Sequence, residues 1–304
     1  MYAISTKKLT KRIGLLKPQT LIDEVTLNIE EGHVFAMVGP NGAGKTTFFK
    51  LLTGLSQPTI GTAEIFGISV SNPLSRKGMA FLPEVVSHPE YLTIGEYLTF
   101  HANLLAMKNV VQKQIDCLKI VDMSGSESLF LAHLSKGMRQ RVDIARVLLG
   151  DPRLVLLDEP STGLDPIGQK NLMDLLLLLK KDRGITILLN SHSVSIISEI
   201  CDEVGIMSEG KILKFCSLAE LQGMEKFRIV VRLSNSDLSW KEKIDGKAKI
   251  QSLSSELTEI IFDYEEEFQK AIRLLCNSGI TIVEAGRNKS ILDSIFREII
   301  AKSA

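Results

Sequence analysis

The chain has 304 residues, and 36 lysines and arginines balance 36 aspartates and glutamates, giving a formal net charge of zero. That balance gives no bulk electrostatic reason to bind nucleic acid, and the length allows one large domain or two ordinary ones, each with a real core. The opening MYAISTKKLTKRIG lacks the apolar core of a secretion signal, and the run LMDLLLLLKK, broken by Asp174, is too short to span a bilayer. Cys117, Cys201, Cys216 and Cys276 form no C-x-x-C pair and read as reduced thiols.

Residues 1–33 read as strands joined by turns, with Val25, Leu27 and Ile29 alternating and Glu31-Gly32 turning the chain into VFAMV, a short buried strand. Directly after it stands Gly39-Pro40-Asn41-Gly42-Ala43-Gly44-Lys45-Thr46, then Thr47, a full match to the phosphate-cradling pattern G-x-x-x-x-G-K-[ST]. The following TTFFKLLTGL has helical apolar spacing, so the motif sits at a strand-to-helix turn. Its glycines let backbone N–H groups point at an anion that the helix's positive end also attracts. Lys45 is placed to reach β- and γ-phosphates, and the Thr46 hydroxyl to bind Mg²⁺. The expectation is a site for a nucleoside triphosphate.

Further on, Pro58 and Gly61 interrupt the pattern, AEIFGI reads as a strand, and GMAFLP (78–83) reads as a short buried strand ending at Glu84. From about Leu92 to Gly150 the spacing is helical, in IGEYLTFHANLLAM and VQKQIDCLKIVDM, with a break at 124–128. Leu134 to Arg141, LSKGMRQR, opens another helix, for which Ser135 is a good N-cap. Ser135, the Gly137 N–H and the helix's positive end form a candidate second anion surface, although periodicity alone gives only an ordinary capped helix. LVLLD (154–158) and ITILLN (185–190) return to strand character around a leucine-rich helix. The first of them carries Asp158 to a sheet edge where it can hold Mg²⁺, and Glu159 follows, suited to orienting or deprotonating an attacking water. A bare Asp-Glu pair at a strand end also reads as an N-cap with a solvated charge.

Taken in order, GPNGAGKTT, LSKGMRQR, LVLLDEP, STGLDP (161–166) and NSH (190–192) resemble the ATP-binding subunit of ATP-binding cassette (ABC) transporters, over about residues 3–220. The resemblance implies an α/β P-loop fold with a mixed sheet and a helical subdomain at about 90–150. It also implies two cassettes packed head to tail, with ATP on one phosphate loop completed by Ser135 and Gly137 of the other copy. It further implies that Asp165 bridges the halves, that His192 contacts the γ-phosphate, and that Glu84 accepts from water or ligates Mg²⁺ weakly. His33, His88, His101 and His133 read instead as surface or satisfied core residues. The chain departs from the family at Lys136 and Met138 of the signature, a variant that looks like the subgroup serving small two-component exporters. It departs again at Ile13, where the family usually has an aromatic side chain to stack on adenine; Tyr2 is another ring that can cover the base.

Beyond about residue 221 the match thins. FRIVVRL, SDLSWKEKI, KIQSL, LTEIIFDY, EEEFQKAIRLLCNSG and GITIVEA follow a β-α-β-β-α-β order, and ILDSIFREII closes it as a helix. That order suggests a small ferredoxin-like α+β domain over 221–304 with a structural or dimer-supporting role. The expected function is ATP hydrolysis with Mg²⁺, powering export through a separate transmembrane permease at the cytoplasmic face of the membrane, as a homodimer or heterodimer and without nucleic acid. The alternative is a soluble ABC-type ATPase acting on nucleic acid or the ribosome; one uninterrupted cassette and no basic patch argue against it.

Overall fold

The computed structural model describes residues 1–287 except 15–16, 224–226, 233–239, 241–243, 245, 247 and 255. The chain divides into two compact units, Met1–Leu218 and a second that starts at Ala219. In the first unit an antiparallel sheet in the order β2-β1-β4-β5 is made by β1 (Tyr2–Ile13), β2 (Gln19–Glu30), β4 (Ile60–Ile65) and β5 (Ile68–Ser69). Gly61 does not break this sheet but lies inside β4, at a positive φ of 80°, where a Cβ would collide with the Lys8 carbonyl. A glycine lets β1 and β4 close up where their register shifts between Lys7 and Thr10.

The second sheet of this unit runs β10-β9-β3-β8-β7-β6, from β3 (Val34–Val38), β6 (Met79–Leu82), β7 (Leu154–Asp158), β8 (Thr186–Asn190), β9 (Glu203–Ser208) and β10 (Lys211–Ser217). All neighbours are parallel except β9 and β10. VFAMV, LVLLD and TILLN are buried along their whole length, as strands covered on both faces should be. By contrast, Met79 to Phe81 are only half-buried, because β6 is an edge strand. Phe48, Phe49, Leu51 and Leu52 of α1 (Lys45–Leu52) join Ile4, Ile29 and Phe35 in the core between the sheets.

Between β6 and β7 the chain inserts α2 (Ile94–Leu104), α3 (Val110–Ile120) and α4 (Lys136–Leu148). Thr93 and Glu96 form a reciprocal cap at the start of α2, which fixes where that insert begins. Helix α5 (Pro166–Arg183) then leads to β8 and stops at Gly184 in the left-handed region. It is followed by α6 (Val194–Ile200) and, after β10, α7 (Leu218–Gly223).

The second unit has its own antiparallel sheet, in the order β12-β13-β11-β14, from β11 (Phe227–Arg232), β12 (Ala248–Ser252), β13 (Leu257–Phe262) and β14 (Thr281–Arg287). Helix α8 (Glu265–Asn277) packs Ala271 and Leu275 onto Ile229, Val231 and Ile260. Of the helix expected at SDLSWKEKI, only Trp240 and Ile244 are described; both are helical and buried in this core. The expected closing helix ILDSIFREII lies outside the described residues.

Candidate active site

The parallel sheet aligns the carboxyl ends of β3, β7 and β8. Register pairs Asp158 with Asn190 and Met37 with Asn190, so the loops leaving three strands start side by side. The phosphate-loop motif, Asp158-Glu159 and His192 are far apart in sequence and meet at this one edge. Behind the loop, Gly39 has a positive φ of 157°, and a Cβ there would collide with the Met207 carbonyl. Only glycine fits between β9 and the turn. Ala43 N donates to the Pro40 carbonyl at 3.2 Å, and Gly210 N donates to the Ala43 carbonyl at 2.9 Å. These bonds tie Pro40–Ala43, including Asn41 and Gly42, to a fixed curve.

Helix α1 starts after Gly44, with no side-chain cap and no acidic residue in its first turn. Its leading N–H groups and its positive end are therefore unclaimed by any side chain, as an anion site requires. The buried Lys45 ammonium donates to the carbonyls of Gly39 and Pro40 at 2.7 and 2.9 Å. Burial holds its pKa below the ordinary lysine value, and the charges of Glu159, Asp158 and Glu84 oppose that shift. Thr46 is exposed at the helix start and Thr47 is half-buried.

Asp158 is 2 % exposed, and its Oδ1 accepts from Asn190 Nδ2 at 2.5 Å. The Glu159 N–H donates to the Asn190 carbonyl at 2.9 Å, and Glu159 itself has a positive φ of 50°. One residue thus positions both acids, in a backbone conformation that is uncommon outside glycine. Asn190 opens the NSH segment but was given no role of its own by motif reading; an amide ending an otherwise apolar strand was the further signal. His192 Nδ1 lies 2.7 Å from Glu159 Oε1. Burial pushes the Glu159 carboxyl up to about 7, against the pull of Lys45, with Asp158 and Glu84 adding to the rise. That range lets a carboxyl take up and release a proton near neutral pH.

Glu159 Oε2 and Asn190 Oδ1 are buried without a hydrogen-bond partner among the described residues. Buried acceptors of this kind suit a hydrated cation or an attacking water. Thr46 and Asp158 can hold Mg²⁺ beside a bound phosphate chain, and Mg²⁺ is usually held by few protein ligands plus phosphate oxygens. Glu84 is exposed but lines the same cavity of about 590 Å³ as Asp158 and Glu159.

The remaining expected residues lie on other elements. The Ser135 hydroxyl accepts from Met138 N at 3.2 Å and so caps α4, with Gly137 half-buried in the first turn. Asp165 Oδ1 accepts from Gly168 N at 2.7 Å and caps α5. Both side chains therefore have an intrachain task besides any contact across two copies. Tyr2 is not available to the base. It pairs with Glu30, whereas Ile13 pairs with Gln19 at the other end of β1, and it is Leu21 and Ile22 that abut Gly44.

A strand-loop-helix phosphate cradle, an acid pair at the end of β7, one strand removed from β3 across β8, and a parallel sheet define a P-loop ATPase. Residues 22–162 match the family model described as ABC transporter. The chain is 32% identical over 303 residues to the bacitracin transport ATP-binding protein of Bacillus licheniformis, covering 98% of this chain and 97% of that one. Its likeness to the bacitracin transport ATP-binding protein of Enterococcus faecalis is 28% over 326 residues, covering 98% and 96%. Among solved structures, cbiO1 of Clostridium perfringens, part of the ABC transporter complex cbiONQ, superposes with a TM-score of 0.64 at 26% identity, covering 73% of this chain and 90% of that one. A dimeric ATP-binding cassette in a post-hydrolysis state with ADP and Pi shares the fold, with a TM-score of 0.64 at 24% identity over 71% of this chain and 98% of that one. The chain belongs to the ABC transporter family, as an ATP-binding, ATP-hydrolysing subunit.

Proposed function

We propose that this subunit powers export through a separate transmembrane permease, working as a pair of copies on the cytoplasmic face of the membrane. The carrying observation is the arrangement of Glu159, whose backbone is fixed by Asn190 and whose carboxyl is met by His192, beside the Lys45 loop. Whole-chain likeness to two bacitracin transport proteins supports export and goes against a role on nucleic acid or the ribosome. Among the described residues no helix is long and apolar enough to cross a membrane.

In this reading Lys45 and the α1 N-terminus bind and neutralise the phosphates, and Glu159 orients and deprotonates the attacking water. His192 holds the Glu159 carboxyl and contacts the γ-phosphate. Thr46 and Asp158, with Glu84 as a weak ligand, would hold Mg²⁺, which would supply charge neutralisation on the bound phosphates. Ser135, Gly137 and Asp165 of the second copy complete the site. Closure of the pair on ATP and its reopening after hydrolysis move the permease, because a ligand shifts an equilibrium only through differential affinity. The strand order β12-β13-β11-β14 supports a ferredoxin-like second unit over about 221–304 with a supporting role.

Sizing chromatography with and without Mg-ATP tests the site. Lys45→Ala should lose ATP binding and stay monomeric. Glu159→Gln should bind ATP, hydrolyse it roughly 10²–10⁴-fold more slowly and accumulate as a dimer. Adding Ser135→Arg to Glu159→Gln should abolish that dimer while ATP stays on the phosphate loop. A dimer that survives Ser135→Arg would remove the head-to-tail site.

A further inference from the structure

Four residues beyond Glu84, the half-buried His88 turns its side chain against α4. Its Nε2 lies 3.0 Å from Asp143 Oδ1, and the two side chains are 9% and 5% exposed. The same oxygen accepts from the Tyr97 hydroxyl at 3.3 Å and lies 3.9 Å from Arg146 Nε. The His88 and Tyr97 rings sit 5.8 Å apart. One carboxylate thus gathers the loop after β6, helix α2 and helix α4. Arg146, on the same helix one turn later, offsets the buried charge. Burial and the Asp143 charge hold the Tyr97 hydroxyl protonated, so it is a donor here.

This network is not remote from the chemistry. His88 and Asp143 line the cavity of about 590 Å³ that Glu84, Asp158 and Glu159 also line. Helix α4 begins at Ser135, two turns before Asp143. Asp143 therefore joins the loop carrying Glu84 to the helix that presents Ser135. The hydrogen-bonded members, His88, Tyr97 and Asp143, fix one arrangement of the segments they join, while Arg146 Nε is buried without a hydrogen-bond partner among the described residues and contributes only its charge.

We propose that the His88–Asp143 pair is a positioning device that locks the Glu84 loop to helix α4, setting both relative to Glu159 for hydrolysis. It touches neither phosphate nor water itself and leaves ATP binding on the Lys45 loop untouched. It rests on the ATPase reading, and the double-mutant cycle reads the coupling of two residues within one assay, an outcome separate from whether Ser135→Arg abolishes the dimer.

The test is a steady-state double-mutant cycle on the full chain, with ATP affinity measured separately by a fluorescent nucleotide. His88→Ala and Asp143→Ala should each lower kcat by about tenfold, the scale of coupled neighbours, with KM and nucleotide Kd unchanged. The double variant should be no slower than the slower single. His88→Gln, whose amide nitrogen can occupy the Nε2 position, should recover most of the loss. Thermal unfolding separates this from simple destabilisation, because His88→Gln keeps the volume and the donor. Independent, multiplying losses in the cycle would overturn the proposal. So would a raised KM at constant kcat, or a His88→Gln variant as slow as His88→Ala at equal stability.

Discussion

His192 Nδ1 stands 2.7 Å from Glu159 Oε1, while Glu159 Oε2 is buried with no partner among the described residues. One oxygen of the acid is held from the exposed side of the site, and the other is left for a reacting water. A base so held must be ionised to act, and burial raises it from its ordinary 4.5 to about 7. The kcat/KM for Mg-ATP, which reports the free protein, should therefore climb with pH up to about 7 and level off above it. A profile already flat at pH 5.5 would mean that Glu159 is not the titrating base.

The same shift has a stability consequence of definite sign. A carboxyl with a raised folded-state pKa binds its proton more tightly when folded, so its contribution falls as pH rises from about 4.5 through about 7. Glu159→Gln cannot ionise and should escape that loss. Its Tm should match the parent near pH 4.5 and exceed it by several degrees at pH 8, the effect of a few kcal/mol at most. A Tm difference that does not change with pH would count against the buried-acid account.

At the other edge of the site, Ile13 ends β1 and is 45% exposed. An aliphatic side chain lacks the aromatic pairing contribution, roughly 0.5–1.5 kcal/mol. Ile13→Tyr should tighten ATP several-fold and sharpen its preference over GTP, as measured by competition binding. Because Tyr2 is at the far end of the strand, it cannot compensate. Unchanged affinity in Ile13→Tyr would place the base away from β1.

Local features were legible in the sequence, and pairings between distant segments were not. VFAMV, LVLLD and ITILLN announce themselves as strands because burial on both faces demands continuous apolar runs. The phosphate loop is legible because its spacing is its chemistry. Asn190 was not, since its importance comes from register: only the β7–β8 pairing sets it opposite Asp158. His88 was read as surface or satisfied core, and which carboxylate satisfies it is a tertiary fact, with Asp143 lying 55 positions on. Gly61 looked like an interruption because local propensity cannot see the Lys8 carbonyl on the neighbouring strand.

Asp165 has two separable tasks. As the cap of α5 its loss should cost about 1 kcal/mol, so Asp165→Ala should lower Tm modestly. Asp165→Asn keeps a capping oxygen but not the charge. If the residue also bridges two copies through its charge, Asp165→Asn should keep the parent Tm yet weaken the ATP-trapped dimer of the Glu159→Gln background. A dimer of parental strength in Asp165→Asn would leave capping as the residue's whole role.

The two units should also be separable. Every residue assigned to the ATP site precedes Ser193 and lies within Met1–Leu218 of the first unit. Leu218 N donates to the Asp202 carbonyl at 2.7 Å, and Asp202 Oδ2 accepts from Val34 N at the start of the phosphate-loop strand at 2.8 Å. A chain ending at Leu218 keeps both bonds and the whole parallel sheet. The second unit has its own core around Ile229, Val231, Ile260 and Phe262, and that core holds Trp240, the chain's single tryptophan. Tryptophan fluorescence therefore reports unfolding of the second unit alone, while helical circular dichroism reports mainly the first. In the full chain the two probes should give different denaturant midpoints, the mark of units that do not unfold together. The shortened chain should show one transition by circular dichroism and bind Mg-ATP with an affinity close to that of the full chain. A shortened protein that folds cooperatively yet binds no nucleotide would show that the second unit supplies part of the ATP site.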